Sequence, residues 1–259
     1  MKNIWFFGDS TTYGHGLRPG FDYWDYSAEN RGTRWTRLFA NNFEGNPINH
    51  GVCGASNEDI KLRLVSQMYK IEKGDMVVLQ PTFPTRINVY TNDGEYKPIH
   101  LAFGEDSFLE GRISADQLES LKEFTKYFLI DNVQKFEQRD LLYFIGLKKE
   151  LESKGIDVLL WHHEVMNESI LKKMGWTTIK EESNGDVDDL HLGWDAQIKF
   201  SDFLTEEYRR GNTFVCPNPE FYDDIDKLHF EEKENENTFE NLFKFVGRKG
   251  HITDYEIMI

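Results

Sequence analysis

The chain is poor in cysteine. It has only two, Cys53 and Cys216, among 259 residues, and they are too far apart to form a Cys-x-x-Cys pair. So few cysteines exclude a disulfide framework and a zinc finger, and they predict reduced thiols. No stretch approaches the roughly 20 apolar residues that a membrane-spanning helix requires. Residues 1–3 lead directly into a candidate strand without a secretory leader. We therefore expect a cytoplasmic protein that does not span a membrane.

Positive charge is also in short supply. The chain has 30 lysines and arginines against 45 acidic residues, which gives a formal net charge of −15 at pH 7. A surface with this excess of negative charge repels polyanions. The charge therefore argues against nucleic acid and against an anionic membrane surface as partners.

The length suits one enzyme-sized domain with a substantial core, and 14% aromatic residues supply large side chains for it. We predict that this domain covers residues 1–210, with an inserted lid or hairpin at about 87–114. Residues 211–259 then form a C-terminal extension with a charge run at 231–237 and an apolar end. The extension can pack on the domain or make a homo-oligomer contact, and the sequence leaves both open.

Short apolar runs alternate with helical patterns along the chain, as βαβ units require. The candidate strands are residues 2–7, 47–50, 75–80 and 156–162, with a candidate fifth near 176–180. The candidate helices are residues 34–42, 56–69, 114–153 and 196–204. This alternation predicts an α/β domain.

Ser10 is the candidate nucleophile. It follows the apolar residues 4–7 through Gly8 and Asp9, and such an apolar run is typical of a strand buried on both faces. The turn at residues 11–16 contains glycine and leaves Ser10 at the carboxyl end of the strand. Open α/β sheets bind their ligands at that edge.

A serine hydroxyl needs a neighbouring base to take its proton, and the base needs an orienting carboxylate. His191 and Asp188 are candidates for these roles, in the sequence Asp-Asp-Leu-His at residues 188–191. The helical pattern at 196–204 follows, so we expect His191 in a loop just before a helix. A turn of this length lets the Asp188 carboxylate reach Nδ1 of His191 and leaves Nε2 to face Ser10.

These segments together resemble the SGNH, or GDSL, hydrolase family, whose blocks carry Ser, Gly, Asn and His in chain order. Ser10 in Gly-Asp-Ser matches the first block, Gly54 looks like the second, and Asp188 with His191 looks like the last. The resemblance covers roughly residues 1–210. It implies a flavodoxin-like three-layer α/β/α sandwich with a mainly parallel five-stranded sheet. It also implies a catalytic triad that acts on ester bonds, with Ser10 and Gly54 in the oxyanion hole.

The third block departs from the family pattern. After the apolar residues 76–79 the family has Gly-x-Asn-Asp, whereas this chain continues with Gln-Pro-Thr-Phe-Pro-Thr-Arg at residues 80–86. The family's Asn donates a side-chain N–H to the developing oxyanion, and losing one such donor typically costs about 100- to 1000-fold in rate.

Asn57 is our preferred substitute for this donor, and Thr82, Thr85 and Arg86 are the others. Asn57 lies at the start of a predicted helix, where its side chain can instead serve as a cap. The N–H groups and dipole of that helix end favour an anion in either case. Thr82 and Arg86 are also candidate substrate-binding residues, because an arginine can hold a carboxylate or phosphate through two hydrogen bonds.

The resemblance implies a small acyl ester or an acetylated carbohydrate as substrate, with no cofactor. Transfer of an acetyl group to a sugar uses the same residues, so hydrolase and acetyltransferase are not separated. A non-catalytic carbohydrate-binding or assembly protein on the same fold is the alternative, motivated by the missing Asn.

A metal-dependent phosphoesterase is a third hypothesis, suggested by His162-His163-Glu164 at the end of a candidate strand. Neighbouring strand residues point to opposite faces of a sheet, so the two histidines do not readily chelate one ion. We expect no metal.

Overall fold

A computed structural model describes residues 2–14, 34–84, 86–92, 94, 96–100, 111–124, 133–161 and 194–215. The helices and strands of these residues follow in chain order: β1 (Asn3–Phe7), α1 (Ser10–Tyr13), α2 (Trp35–Asn41), β2 (Asn46–Asn49), α3 (Asn57–Gln67), β3 (Met76–Leu79), β4 (Arg86–Tyr90), β5 (Tyr96–His100), α4 (Ala115–Phe124), α5 (Val133–Ser153), β6 (Asp157–Trp161), α6 (Trp194–Arg209) and β7 (Phe214–Val215). A short 3-10 turn, Met68–Lys70, directly follows α3.

The larger sheet has five strands in the order β2-β1-β3-β6-β7, and every neighbouring pair is parallel. This order confirms the predicted five-stranded parallel sheet. The ends of β1, β2, β3 and β6 agree with the four main candidate strands to within one residue. The fifth strand is β7, which lies beyond residue 210. The candidate strand near 176–180 lies outside the described residues.

Two apolar cores cover the two faces of the sheet. Alternate residues of a strand point to opposite faces, so Trp5 and Phe7 of β1 enter one core while Ile4 and Phe6 enter the other. The first core contains residues of α3 and α5, and the second contains residues of α2 and α6. Helices therefore cover both faces, which confirms the three-layer α/β/α sandwich.

The strand order places a switch point beside β1. The chain leaves β1 toward β2 on one side and returns to β3 on the other, so the carboxyl ends of β1 and β3 border a crevice. Ser10 follows β1 and Gln80 follows β3. The Ser10 turn, which matches the family pattern, and the segment that starts at Gln80, which departs from it, therefore meet at one edge of the sheet.

A separate two-stranded antiparallel sheet is formed by β4 and β5, with Arg86 opposite His100 and Tyr90 opposite Tyr96. This hairpin occupies the segment in which we expected a lid or hairpin. Within the predicted helical segment 114–153, α4 and α5 are helical as expected, and residues 125–132 lie outside the described residues. None of the described helices combines the length and the apolar character needed to cross a bilayer.

Candidate active site

Ser10 lies at the carboxyl end of β1, as the sequence predicts. It is the first residue of α1 and is only 5% exposed. Gly8 allows the close approach that this turn requires, since a Cβ at Gly8 would lie 2.5 Å from Oε1 of Gln80. Any larger residue at position 8 would push Gln80 away from the turn.

Three neighbouring segments hold α1 in place. The indole N–H of Trp35 donates to the Thr11 carbonyl at 2.8 Å, and Asn49 Nδ2 donates to the Thr12 carbonyl at 2.8 Å. Gln80 Oε1 accepts from the Thr12 backbone N–H at 3.1 Å and also from the Thr12 hydroxyl. The turn that carries Ser10 is therefore tied to α2, to β2 and to the end of β3.

The carboxylate of Asp9, beside Ser10, accepts four hydrogen bonds. Its Oδ1 accepts from the Thr11 backbone N–H at 2.9 Å and from Gln80 Nε2 at 2.6 Å. Its Oδ2 accepts from the Thr82 hydroxyl at 2.7 Å and from Arg86 Nη1 at 2.8 Å. The atypical third block thus supplies three of the four donors that fix Asp9. Thr82 and Arg86, predicted to bind substrate, both contact this carboxylate.

The Asn57 side chain is engaged in hydrogen bonds within the protein. It is buried, and both amide hydrogens are used: Nδ2 donates to the Thr82 carbonyl and to Asp140 Oδ2, each at 2.9 Å. Its Oδ1 accepts from the Thr82 backbone N–H at 2.7 Å. The amide therefore has no hydrogen left for an oxyanion in this arrangement. The helix cap is Ser56, which forms a capping box with Asp59.

Gly54 lies in the loop between β2 and α3, with a left-handed φ of 75°. Among the described residues, none accepts a hydrogen bond from its backbone N–H. The loop reaches the Ser10 turn from one side, since a Cβ at Gly51 would lie 2.5 Å from the Tyr13 backbone nitrogen. It reaches Arg86 from the other, with the Ala55 carbonyl 3.4 Å from Nη1. Gly54 is thus on a loop packed against α1.

Asp188, His191 and Thr85 lie outside the described residues, as does the segment 162–164. Within the described part of the chain, no group of three or more His, Cys, Asp or Glu side chains is arranged to hold a metal ion.

Two other titratable residues lie near this edge of the sheet. Burial, followed by the negative charge of Asp9, raises the pKa of the Cys53 thiol to about 11, so Cys53 is a poor nucleophile at neutral pH. The His50 ring stacks against Trp5 and Phe7 at centroid distances of 5.8 and 5.1 Å. Burial, with a smaller effect of nearby cations, lowers the pKa of His50 below 6.5. We assign His50 to packing.

Sequence reasoning missed the polar cluster behind Asn57. Asp140 of α5 is 5% exposed and contacts Arg139 Nη2 at 3.1 Å and Lys61 Nζ at 3.6 Å. These residues, with Arg86, line a cavity of about 390 Å³. The sequence shows only an aspartate within a predicted helix. Its burial is visible in the structure alone, and acidic residues are rarely buried unless paired.

Comparison with solved structures finds proteins that align with this chain at low identity. A lipase/acylhydrolase from Enterococcus faecalis is 15% identical, with a TM-score of 0.36 over 80% of this chain and 95% of that chain. A member of the lipolytic protein G-D-S-L family from Veillonella parvula DSM 2008 is 14% identical, with a TM-score of 0.32 over 96% of this chain and 98% of that chain.

A variant of an acetyl-xylooligosaccharide esterase from Geobacillus stearmophilus is 12% identical, with a TM-score of 0.33 over 100% of this chain and 97% of that chain. No family model and no curated protein sequence matches the chain.

Proposed function

We propose that the chain is a serine esterase of the SGNH type that hydrolyses a small acyl ester through an acyl-enzyme. The placement of Ser10 is the observation that carries this proposal. Ser10 lies at the switch point of a parallel sheet, on a turn whose cap, Asp9, is held by four donors. A fixed nucleophile at a ligand-binding edge suits covalent catalysis.

The proposed reaction has two steps. Ser10 Oγ attacks the ester carbonyl while His191 Nε2 takes its proton, and Asp188 holds the tautomer of the imidazole. The alcohol leaves with the proton from His191, and Ser10 keeps the acyl group as an ester. A water molecule, deprotonated by His191, then releases the acid and restores Ser10. This chemistry requires no cofactor.

The proposed oxyanion hole consists of the backbone N–H groups of Ser10 and Gly54. Gly54 supports this role because its N–H has no acceptor among the described residues and its loop packs on α1. We leave the Asn57 amide out of the proposed hole because both of its hydrogens are donated to Thr82 and Asp140. A hole with only backbone donors predicts slower turnover than one with a side-chain amide as well.

We propose an acetylated carbohydrate as the substrate class, on the strength of the family resemblance of the Ser10, Gly54 and His191 blocks. An acceptor sugar in place of water would make the same residues an acetyltransferase. Acetyl release into water and acetyl transfer to an added sugar are separable by mass spectrometry of the products.

The direct test is turnover of a panel of acetyl esters by the full chain and by two variants. Ser10→Ala and His191→Ala should each lose turnover, since each removes a group that takes part in bond making or proton transfer. Full activity in either variant would contradict the mechanism. Circular dichroism of each variant checks that the fold is retained.

The hydrogen bonds of the Asn57 amide within the protein favour a second candidate function. Without a third-block amide at the oxyanion position, the fold can serve as a non-catalytic carbohydrate-binding protein. In that case glycan binding survives Ser10→Ala unchanged and no ester turns over, whereas an esterase loses turnover in the same variant.

A further inference from the structure

A cavity separate from the Ser10 turn lies between α3, β4 and α5. Its volume of about 390 Å³ is in the range of small-molecule sites. Charged and aromatic side chains line much of it: Glu58, Lys61, Arg86, Phe124, Phe136 and Arg139. Arg86 belongs to both places, because its Nη1 lies 2.8 Å from Oδ2 of Asp9, the residue before Ser10.

Toward the described residues, Arg86 uses only one nitrogen of its guanidinium for hydrogen bonds. Nη1 contacts Asp9 Oδ2 and Thr82 Oγ1, each at 2.8 Å, and the Ala55 carbonyl at 3.4 Å. No acceptor for Nε or Nη2 is found in the described part of the chain. These two nitrogens form one edge of the planar group, and their parallel N–H bonds match two oxygens of a carboxylate or phosphate.

Lys61 brings a second cation, and the described residues leave some of its donors unused. Its Nζ lies 3.6 Å from Asp140 Oδ1, which is an ion-pair distance, and 4.5 Å from the centre of the Tyr143 ring. It makes no shorter contact to an acceptor in the part of the chain that the structure describes. Its side chain is 19% exposed and lines the cavity.

The acidic residues of the cavity do not occupy the unused hydrogen-bond donors of Arg86 and Lys61. Asp140 is already satisfied by the Asn57 amide and by two cations, Lys61 and Arg139. Arg139 is half exposed and stacks on Phe136 at 4.8 Å. Glu58 is exposed. The lining thus has three cations against two carboxylates, and a third carboxylate, that of Asp9, pairs with Arg86 from outside the lining.

We propose that this cavity binds an oxyanion group, either carboxylate or phosphate, with the free edge of Arg86 and the ammonium of Lys61 as its anchors. Phe124 and Phe136 provide apolar surface for a ring that carries the group. We assign this group to the part of the substrate that does not react. That assignment alone rests on the proposed esterase function, whereas the anion site does not.

The test is isothermal titration calorimetry of the full chain with phenyl phosphate, benzoate and the neutral benzamide. At least one anion should bind and benzamide should not. Tighter binding of phenyl phosphate identifies a phosphate site, and tighter binding of benzoate identifies a carboxylate site. Absence of binding by both anions overturns the proposal.

Variants locate the binding. Lys61→Gln should weaken binding of the anion by about tenfold or more, as expected for loss of a charged hydrogen bond. Lys70→Gln, at an exposed lysine outside the cavity lining, should leave binding unchanged. Equal affinity in Lys61→Gln and the parent chain overturns the site. Arg86→Lys keeps a charge and removes the planar edge, so it should also weaken binding.

Turnover of 4-nitrophenyl acetate separates this proposal from the esterase function. Anion binding without turnover keeps the cavity as an anion site and contradicts the esterase. Turnover without anion binding keeps the esterase and overturns the anion site.

Discussion

The guanidinium of Arg86 and the carboxylate of Asp9 form an ion pair at 2.8 Å, with side chains only 14% and 4% exposed. Asp9 also caps the helix that begins at Ser10. The pair therefore connects the start of the hairpin strand β4 to the turn of the candidate nucleophile. Gln80, Thr82 and Arg86, all from the segment 80–86, fix the Asp9 carboxylate.

Arg86→Met should lower the free energy of unfolding by about 3 kcal/mol, because it leaves a buried carboxylate without its cation. Urea unfolding measures the change, and Asp9→Asn added to Arg86→Met should recover part of it. Arg210→Met is the matched control. Arg210 pairs with Glu206 and Glu207 but is 62% exposed, so its loss should cost under about 1 kcal/mol. Equal costs at the two sites would contradict a structural role for the Asp9 pair.

Asn57→Ala should destabilise the fold without removing a catalytic donor. It leaves the Thr82 backbone groups and one Asp140 oxygen unpaired, which costs about 2 to 4 kcal/mol. Turnover per folded molecule should fall less than about tenfold, whereas loss of an oxyanion donor costs about 100- to 1000-fold. Active-site titration with chemical unfolding separates the two effects. A fall in turnover of several hundredfold in a folded variant would show that Asn57 acts as an oxyanion donor.

Gly54→Ala and Gly146→Ala should change stability in opposite directions. Neither added methyl meets an atom of another described side chain or segment within 4 Å, but Gly54 has a φ of 75° while Gly146 lies inside α5. Alanine should cost about 1 to 2 kcal/mol at Gly54 and gain about 1 kcal/mol at Gly146. Thermal unfolding of both variants measures the pair. A neutral Gly54→Ala would show that this loop does not depend on the left-handed conformation.

Acid should destabilise the protein partly through His50. Burial holds the folded-state pKa of His50 below 6.5, so the unfolded chain takes up a proton that the native ring resists. Stability is therefore lost as pH falls through 6.5 toward the folded-state value. His50→Phe keeps a stacked ring and removes this titration. Urea midpoints of both proteins between about pH 7.5 and 5 should diverge on acidification, with the parent losing more. Parallel curves would exclude His50 as the cause.

The sheet was predictable because its signal is local. Each of β1, β3 and β6 is an apolar run covered by helices on both faces, so a few consecutive residues reveal the strand. β7 has only two residues, and such a short strand leaves no pattern in the sequence. The placement of Ser10 follows directly from the prediction of β1.

The contacts around the site were not predictable, because they join residues far apart in the chain. The Asn57 amide meets Asp140 across 83 positions, and Gln80 meets Asp9 across 71. The composition of the third block showed which donors were present but not that they converge on Asp9. An asparagine near a helix start has several possible partners, and only tertiary packing selects among them.

The central claim is that Ser10 is an activated nucleophile. The most direct measurement is fluorophosphonate labelling of the purified chain followed by peptide mass spectrometry, since this probe reports an activated serine without a known substrate. We predict labelling at Ser10 that disappears in His191→Ala, while Ser66→Ala, at a serine exposed on α3, leaves it unchanged. Absence of label on Ser10 in the folded parent chain, or label that persists in His191→Ala, would contradict the account.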